Sequence, residues 1–418
     1  MSNVEMGKDL KTNMIWNSIG SIVYQACIWL INYICVLQVG FEDAGILAIA
    51  MSTTNIFFTI AIYGMRAYQS SDVMGKFNDN EYIYSRYFTC FIALALCVLV
   101  SVVQYDAKIM LAIIIYMFFR ISEAYTDVLH GIDQRFMRMD IIGKSFIFRG
   151  IVSIIAFAVV LYITNDLIIS LLTMAIFSFV IVLAYDFPKV KNIGDFTKKP
   201  KLIHIKKLLI ECIPLVIYAF LNTTISNLPR LFLIEIKGEY IGGVFTSIIA
   251  PVVIIQLGAS YIFTPLISVI SVNYNKGNKK EYSNIIKKVN IALGFVGIIG
   301  VIGGFLLADL GFTILYSSNK NVFNDVMNNK DLLVPAIVSA TITAFVLFYN
   351  MVLTIIRDFK GLIVSTLAGL ICCLLISYPI INAYNLQGAN LSLAISLLVQ
   401  LIFLIVFEKI KVTSKYST

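Results

Sequence analysis

Residues 145–187 read SFIFRGIVSIIAFAVVLYITNDLIISLLTMAIFSFVIVLAYDF, two apolar runs separated by the short polar stretch Thr164–Asp166. Each run has the length of about 20 residues that a helix needs to cross a hydrocarbon layer about 30 Å thick. A surface helix of a soluble domain would instead alternate apolar and polar positions at the helical period. This segment therefore predicts a pair of membrane-spanning helices.

The same pattern extends over the whole chain of 418 residues, of which 59% are hydrophobic and 13% charged, with a mean hydropathy of +0.88. We predict an all-α polytopic membrane protein with about 12 transmembrane helices. Run 241–271 contains Pro251 and Pro265, which provide places for a long span to bend. The predicted spans are 13–38, 44–65, 87–104, 109–129, 145–164, 167–187, 211–236, 241–271, 289–308, 332–355, 361–382 and 389–408.

Lysine and arginine residues are unevenly divided between the two sets of loops. If the N-terminus is cytoplasmic, the inner segments hold most of the 32 basic residues, and the outer segments hold only Lys108, Lys237, Lys320 and Lys330. This asymmetry predicts that both termini are cytoplasmic. The basic stretch Lys189–Lys207 is explained by anionic lipid at the membrane surface, so we expect no nucleic-acid partner.

The longest inner connection divides the chain into two halves of six predicted spans. We predict an N-terminal lobe over 1–187, a basic cytoplasmic linker over 188–207 and a C-terminal lobe over 208–418. The halves are weakly similar, since AGIL at 44–47 and GGVF at 242–245 each open a second span. An even number of spans gives both halves the same orientation, which predicts a transporter-like pair of repeats with a cavity between them.

Several charged residues fall inside predicted spans, where a charge costs about 2.5–3.5 kcal/mol and usually faces protein or water. Arg120, Glu123 and Asp127 share one face of the fourth span because of their helical spacing, and Arg149 is expected at the depth of Asp127. In one interpretation Arg120 pairs with Glu123 and Arg149 with Asp127. In the other, the arginines line a water-filled cavity and bind a phosphate or diphosphate, and the two acids could bind a coupling proton or sodium ion.

The seventh span also carries polar residues, including Asn222, Asn227 and Arg230. Arg230 is the best candidate for contact with an anion, because the nearest acid along the helix, Glu235, is five positions away and off its face. Arg66 ends the predicted second span at its cytoplasmic side.

Several strings of the sequence resemble bacterial polysaccharide flippases (the lipid-linked oligosaccharide, O-antigen and capsule type) of the multidrug/oligosaccharidyl-lipid/polysaccharide exporter superfamily. The string with the most specific resemblance contains Tyr68, Gln69 and Asp72. The strings are NMIWN at 13–17, GFEDAGI at 40–46, YGMRAYQSSD at 63–72 and NLPR at 227–230, together with residues around Asp127 and Arg138.

The resemblance implies two six-helix lobes around a central cationic cavity, in the bacterial cytoplasmic (inner) membrane. Such a protein flips undecaprenyl-diphosphate-linked oligosaccharide to the outer leaflet by alternating access, for capsule, O-antigen or exopolysaccharide biosynthesis. Its expected partners are this substrate, membrane lipids and other polysaccharide-assembly proteins, with no cofactor and with coupling to H⁺ or Na⁺ left open. The expected substrate-binding residues are Arg230, Arg120, Arg149, Arg66, Asn227, Asn222 and Gln25.

Two alternatives remain. A cation-coupled multidrug exporter of the same superfamily would favour acids over arginines in its cavity. A membrane polymerase or ligase acting on lipid-linked sugars would need a sizeable outer loop with catalytic groups. The longest outer connection, Asp309–Asp331, contains no histidine or arginine and is more typical of a small outer helix. The cysteines and histidines show no metal-ligand spacing, so we expect neither an enzyme nor a metal site.

Overall fold

The computed structural model describes residues 3–72 and 75–417, which form helices and turns with no strand in those ranges. The helix Leu167–Ile181 continues through a wider helical turn, Val182–Asp186, into the helix Phe187–Lys191. Both chain ends lie outside the described residues, so their cytoplasmic location stays a prediction. The helices of the first part are α1 (Asn3–Val39), α2 (Phe41–Ile62), α3 (Met65–Ser71), α4 (Asp79–Gln104), α5 (Ala107–Arg135), α6 (Met139–Thr164), α7 (Leu167–Ile181) and α8 (Phe187–Lys191).

The second part of the chain is bent where the sequence places proline. Tight turns at Ala250–Val252 and Thr264–Leu266 interrupt the long run 241–271, because proline removes a backbone donor and clashes with the preceding turn. These turns lie at the two prolines where the sequence predicts that this span can bend. The helices are α9 (Leu202–Lys237), α10 (Glu239–Ile249), α11 (Val253–Phe263), α12 (Ile267–Asn275), α13 (Lys279–Tyr316), α14 (Lys320–Asn328), α15 (Leu333–Ile355) and α16 (Phe359–Ser417).

Helix α16 is a hairpin of two helical arms rather than one rod. Its backbone leaves the helical conformation at Asn385, with φ 51° and ψ −127°. A methyl group added at Gly388 would come within 2.5 Å of the carbonyl oxygen of Ile380, and one added at Gly369 within 2.9 Å of Cβ of Gln400. The two arms therefore run antiparallel, and they correspond to the predicted spans 361–382 and 389–408.

The architecture is that of a multi-pass membrane protein. Eleven helical segments of the described residues are long and apolar enough to cross a membrane. The last of them is the hairpin, so the prediction of about twelve spans is confirmed. Large apolar side chains face outward on these helices, including Val103 at 80% and Phe305 at 78% exposure, as expected of surfaces that contact lipid.

The chain forms two compact units, Met1–Phe220 and Leu221–Thr418. Their boundary lies inside α9, beyond the predicted linker 188–207. The reason is that the first turns of α9 are packed into the N-terminal unit, where Leu208 and Cys212 share a buried cluster with Phe77 and Tyr82. The assignment of 1–187 and 208–418 as functional lobes stays a prediction.

Candidate functional site

The turn after α2 determines where Arg66 lies. Tyr63 and Gly64 have left-handed backbone conformations, with φ values of 55° and 63°, which glycine adopts without steric cost. A methyl group at Gly64 would also approach Cβ of Leu215 to 3.1 Å. Consequently α2 ends at Ile62, before the predicted end at residue 65, and Arg66 lies in the first turn of α3 instead of ending the second span.

A small charged cavity lies inside the N-terminal unit. Its volume is about 150 Å³, which corresponds to about five water molecules at the density of the liquid. Two arginines and two carboxylates that the sequence singled out share its lining. The lining residues are Phe58, Arg66, Glu123, Thr126, Asp127, His130, Phe146 and Arg149.

Asp127 is held by two arginines, neither of which is the predicted partner. The guanidinium of Arg86 donates to its carboxylate at 2.9 Å and is fully buried, and that of Arg66 lies 3.7 Å away. Arg66 also donates through Nε to Gln134 at 3.1 Å. The predicted pairing of Arg149 with Asp127 is therefore wrong. Arg86, which the charge pattern placed in an inner segment, is buried about two turns into α4 and takes that role.

Arg149 is instead surrounded by hydroxyl groups. Its guanidinium donates to Ser122 at 2.9 Å and Ser178 at 2.6 Å, and it also hydrogen-bonds Thr126. The carboxylate of Asp186 lies 3.7 Å away, and both side chains are buried. Neutral hydroxyl groups thus accept hydrogen bonds from most of its N–H groups, while one buried carboxylate balances its charge. Arg149 therefore ties α5, α6 and the helical turn after α7 together.

Arg120 makes the contact that the sequence predicted. It donates to Glu123 at 2.5 Å, so the predicted Arg120–Glu123 pair is confirmed. It also hydrogen-bonds Asn55, and its guanidinium lies 4.1 Å from the ring centre of Phe58. The hydroxyl of Tyr24 donates to Glu123. Glu123 lines the cavity and Arg120 does not. Arg120 therefore affects the cavity only by holding the carboxylate of Glu123 in place.

Tyr68 belongs to a polar cluster that fixes the start of α9. Its hydroxyl donates to Glu211, and the Lys76 ammonium lies 2.7 Å from Glu211 and 3.1 Å from the Tyr68 hydroxyl. The hydrogen bond to Glu211 is the main reason that the pKa of Lys76 is raised above its usual value. Partial burial, followed by Glu211, raises the pKa of Tyr68.

The other two residues of the family-like string, Gln69 and Asp72, have structural surroundings. Asp72 accepts hydrogen bonds from the backbone N–H groups of Lys76 at 2.8 Å and Phe77 at 3.0 Å, so it orders the turn before α4. Gln69 is fully buried against α5, and a methyl group at Gly131 would come within 2.0 Å of its Oε1. The string therefore maintains the turn that positions Arg66.

The C-terminal unit contains a second polar cluster, built around Asn222. The Asn222 side-chain oxygen accepts hydrogen bonds from Gln400 at 3.0 Å and from Asn350 at 3.4 Å. These three residues lie on α9, α15 and α16, so one amide joins three helices. Interhelical amide hydrogen bonds of this kind stabilise the packing of membrane helices.

The remaining predicted residues lie apart from these contacts. Asn227 donates to the carbonyl oxygen of Thr223 at 2.9 Å, one turn back on α9. Arg230 is half-buried one turn further along, and Gln25 is exposed on α1. Their predicted roles in substrate binding stay predictions.

Sequence reasoning missed Arg86, Asp186, Asn350 and Gln400. Each is a polar residue within or at the end of an apolar run, which is a signal for an interior position. A polar residue in an apolar run shows which face of its helix points to the protein interior. It does not show the partner residue, because partners on other helices depend on how the helices pack. In the described residues no cluster of histidine, cysteine and acidic side chains could hold a metal ion.

The described residues form a multi-pass membrane protein with charged side chains around a cavity in its N-terminal unit. No protein-family profile matches the chain. It is 25% identical over 401 residues to the capsular polysaccharide biosynthesis protein CapF of Staphylococcus aureus, covering 95% of this chain and 98% of that protein.

Solved structures show the same fold. An inward-facing multidrug resistance MATE family transporter of the MOP superfamily matches with a TM-score of 0.76 at 12% identity, covering 96% of this chain and 99% of that one. The lipid II flippase MurJ, in an inward closed conformation, matches with a TM-score of 0.71 at 12% identity, covering 94% of this chain and 87% of that one.

The chain therefore has the fold of these transporters, and it is similar over nearly its whole length to a capsular polysaccharide biosynthesis protein. The relative and the neighbours support the resemblance to polysaccharide flippases that the sequence shows. The prediction that it is not an enzyme agrees with these neighbours, which are transporters and a flippase.

Proposed function

We propose that this protein moves undecaprenyl-diphosphate-linked oligosaccharide from the cytoplasmic to the outer leaflet of the bacterial cytoplasmic membrane, by alternating access, for the synthesis of a surface polysaccharide. On this proposal both termini are cytoplasmic. The substrate class follows the capsular polysaccharide biosynthesis protein that the chain resembles over 95% of its length.

The observation that carries the proposal is the charged cavity of the N-terminal unit. Arg66 and Arg149 both line it. Arg149 is buried among hydroxyl acceptors, whereas the guanidinium of Arg66 is partly exposed and can bind phosphate oxygens through two N–H groups. A volume of about 150 Å³ fits a charged head group and excludes an oligosaccharide. The sugar chain must therefore lie outside this cavity.

The acids of the cavity suit a transporter that has to release its substrate. Arg66 has a 3.7 Å contact with Asp127 and a side-chain exposure of 29%, so its guanidinium can exchange the carboxylate for a phosphate without being left unpaired. An arginine without a competing acid would bind a diphosphate more tightly and release it more slowly. Protonation of Glu123 or Asp127, or binding of Na⁺ to them, would couple this exchange to an ion gradient.

The test is complementation of a strain that lacks the gene. Replacing Arg66 or Arg230 with alanine is expected to lower surface polysaccharide by at least about tenfold, since a charge-assisted hydrogen bond contributes about 1.5–3 kcal/mol. Undecaprenyl-linked oligosaccharide should accumulate in the same cells. Arg138→Ala is the matched control, because Arg138 is half-exposed beside Asp140, does not line the cavity and is not among the predicted substrate-binding residues.

The main alternative is a cation-coupled multidrug exporter, and Glu123 and Asp127 in the cavity lining are the observation in its favour. The same strains separate the two functions, provided that immunoblots show equal amounts of each variant in the membrane. Unchanged surface polysaccharide in the deletion strain, together with increased sensitivity to cationic drugs, would refute the flippase and support the exporter.

A further inference from the structure

The C-terminal unit has a larger groove that the proposed transport path does not use. It lies between the start of α13, the middle of α15 and the second arm of α16, and its volume is about 660 Å³. That volume is within the range of ligand sites in proteins, about 300–1,000 Å³. We call it the α13–α16 groove. Its inner part is mostly apolar and its mouth is basic.

The inner part of the groove is mostly apolar, and two hydrogen bonds between helices cross it. Tyr282, at 1% exposure, donates to Glu408 at 2.8 Å, and Asn290 donates to the Tyr349 hydroxyl at 2.9 Å. Both pairs join α13 to a neighbouring helix. The rest of the wall is formed by aliphatic and aromatic side chains such as Ile291, Phe345 and Ile405. A hydrocarbon chain matches these aliphatic and aromatic side chains, because contact with them breaks no hydrogen bond.

The mouth of the groove is basic. Lys279, Lys287 and Lys409 line it, and all three side chains are exposed. Glu408 is the one lining carboxylate, and it is 7% exposed and hydrogen-bonded to Tyr282. Three exposed ammonium groups over one buried acid give the mouth a net positive charge that complements a phosphate.

We propose that the α13–α16 groove is a binding site for an anionic membrane phospholipid. The headgroup phosphate lies among the three lysines, and one acyl chain lies along the apolar wall. The lysines fall on the side of the membrane that the charge distribution assigns to the cytoplasm, where anionic headgroups attract them. The combination of a cationic mouth with a hydrocarbon wall excludes a free soluble anion as the occupant. This site is independent of the proposed function.

The test is titration of the purified full-length protein in detergent with phosphatidylglycerol, read by native mass spectrometry. The double variant Lys287→Gln/Lys409→Gln is expected to raise the Kd for phosphatidylglycerol at least about tenfold, since each lysine near an anionic headgroup contributes measurably. Lys288→Gln/Lys411→Gln is the matched control. It removes the same charge from the same two helices, at residues that do not line the groove.

Four comparisons decide the result. Tight binding of phosphatidylglycerol, weak binding of phosphatidylcholine and an unchanged Kd in the control variant would support the site. Equal loss in both double variants, or equal affinity for phosphatidylcholine, would overturn it. Competition by inorganic phosphate at equal concentration would show a soluble anion site instead. Preferential binding of undecaprenyl phosphate would assign the groove to the transported lipid and overturn the phospholipid assignment.

Discussion

Asp127→Ala is expected to lower the free energy of unfolding by about 3 kcal/mol. The substitution leaves the guanidinium of Arg86 fully buried with a carbonyl acceptor from Ala61 but no counter-charge. Removing one partner of a buried ion pair costs about 3–5 kcal/mol, because the remaining charge keeps its desolvation penalty. The measurement is thermal or denaturant unfolding of the purified protein in detergent.

Two further variants show whether the pair is the cause. Asp43→Ala breaks the exposed pair with Lys108, whose side chain is 56% exposed, and should cost less than about 1 kcal/mol. Arg86→Met combined with Asp127→Leu removes both charges and should recover much of the lost stability. If Asp127→Ala were no more destabilising than Asp43→Ala, the buried pair would not hold α4 to α5 as described.

Gly143→Ala is expected to lower the free energy of unfolding as much as Asp127→Ala does, but for a steric reason. Helices α1 and α6 cross so closely that a methyl group at Gly143 would come within 2.1 Å of the carbonyl oxygen of Trp16, and one at Gly20 within 2.2 Å of the Gly143 carbonyl oxygen. Backbone atoms cannot rotate away as a side chain can. The helices would have to separate, which places the expected loss near the upper end of overpacking costs, about 3 kcal/mol.

Gly258→Ala provides the control for this prediction. Gly258 is also a helical glycine, in α11, and a methyl group there meets no atom within 4 Å. Since alanine is favoured over glycine in helices by about 0.5–1 kcal/mol, this variant should be neutral or slightly more stable. Equal melting temperatures for Gly143→Ala and Gly258→Ala would contradict the close crossing of α1 and α6.

The sequence was sufficient to predict the spans, because each is an apolar run whose length matches the membrane. It also predicted that the long span departs from a regular helix at Pro251 and Pro265. The short helix within Asp309–Asp331, now seen as Lys320–Asn328, and the pairing of Arg120 with Glu123 were predicted as well. All of these depend on local properties of one helix. Boundaries were less accurate, since Tyr63 adopts a left-handed conformation that residue type does not indicate.

The pairing between helices could not be predicted. Depth along the membrane suggested that Arg149 meets Asp127, but rotation of the helices brings Arg149 to Ser122, Ser178 and Asp186. Arg86 then pairs with Asp127. The position of a residue in the sequence determines its depth in the membrane, but not how its helix is rotated about its own axis. Partners on other helices can therefore be identified only from the tertiary structure.

These contacts also change the interpretation of the arginines. Arg149 and Arg86 are buried and join helices through hydrogen bonds and ion pairs, which is a structural role. Arg66 is different, since its side chain is 29% exposed, lines the cavity and lies 3.7 Å from the carboxylate of Asp127. Within the N-terminal unit, Arg66 is therefore the arginine whose removal should impair transport more than stability.

The most direct test of the proposed function is translocation by the purified protein in liposomes, with a labelled undecaprenyl-diphosphate-linked oligosaccharide whose sugar is accessible to an added enzyme only in the outer leaflet. Wild-type protein and Arg138→Ala should expose the sugar at the same rate, and Arg66→Ala at no more than about a tenth of it. Exposure of the sugar by wild-type protein no faster than in protein-free liposomes, with and without H⁺ or Na⁺ gradients, would contradict the account.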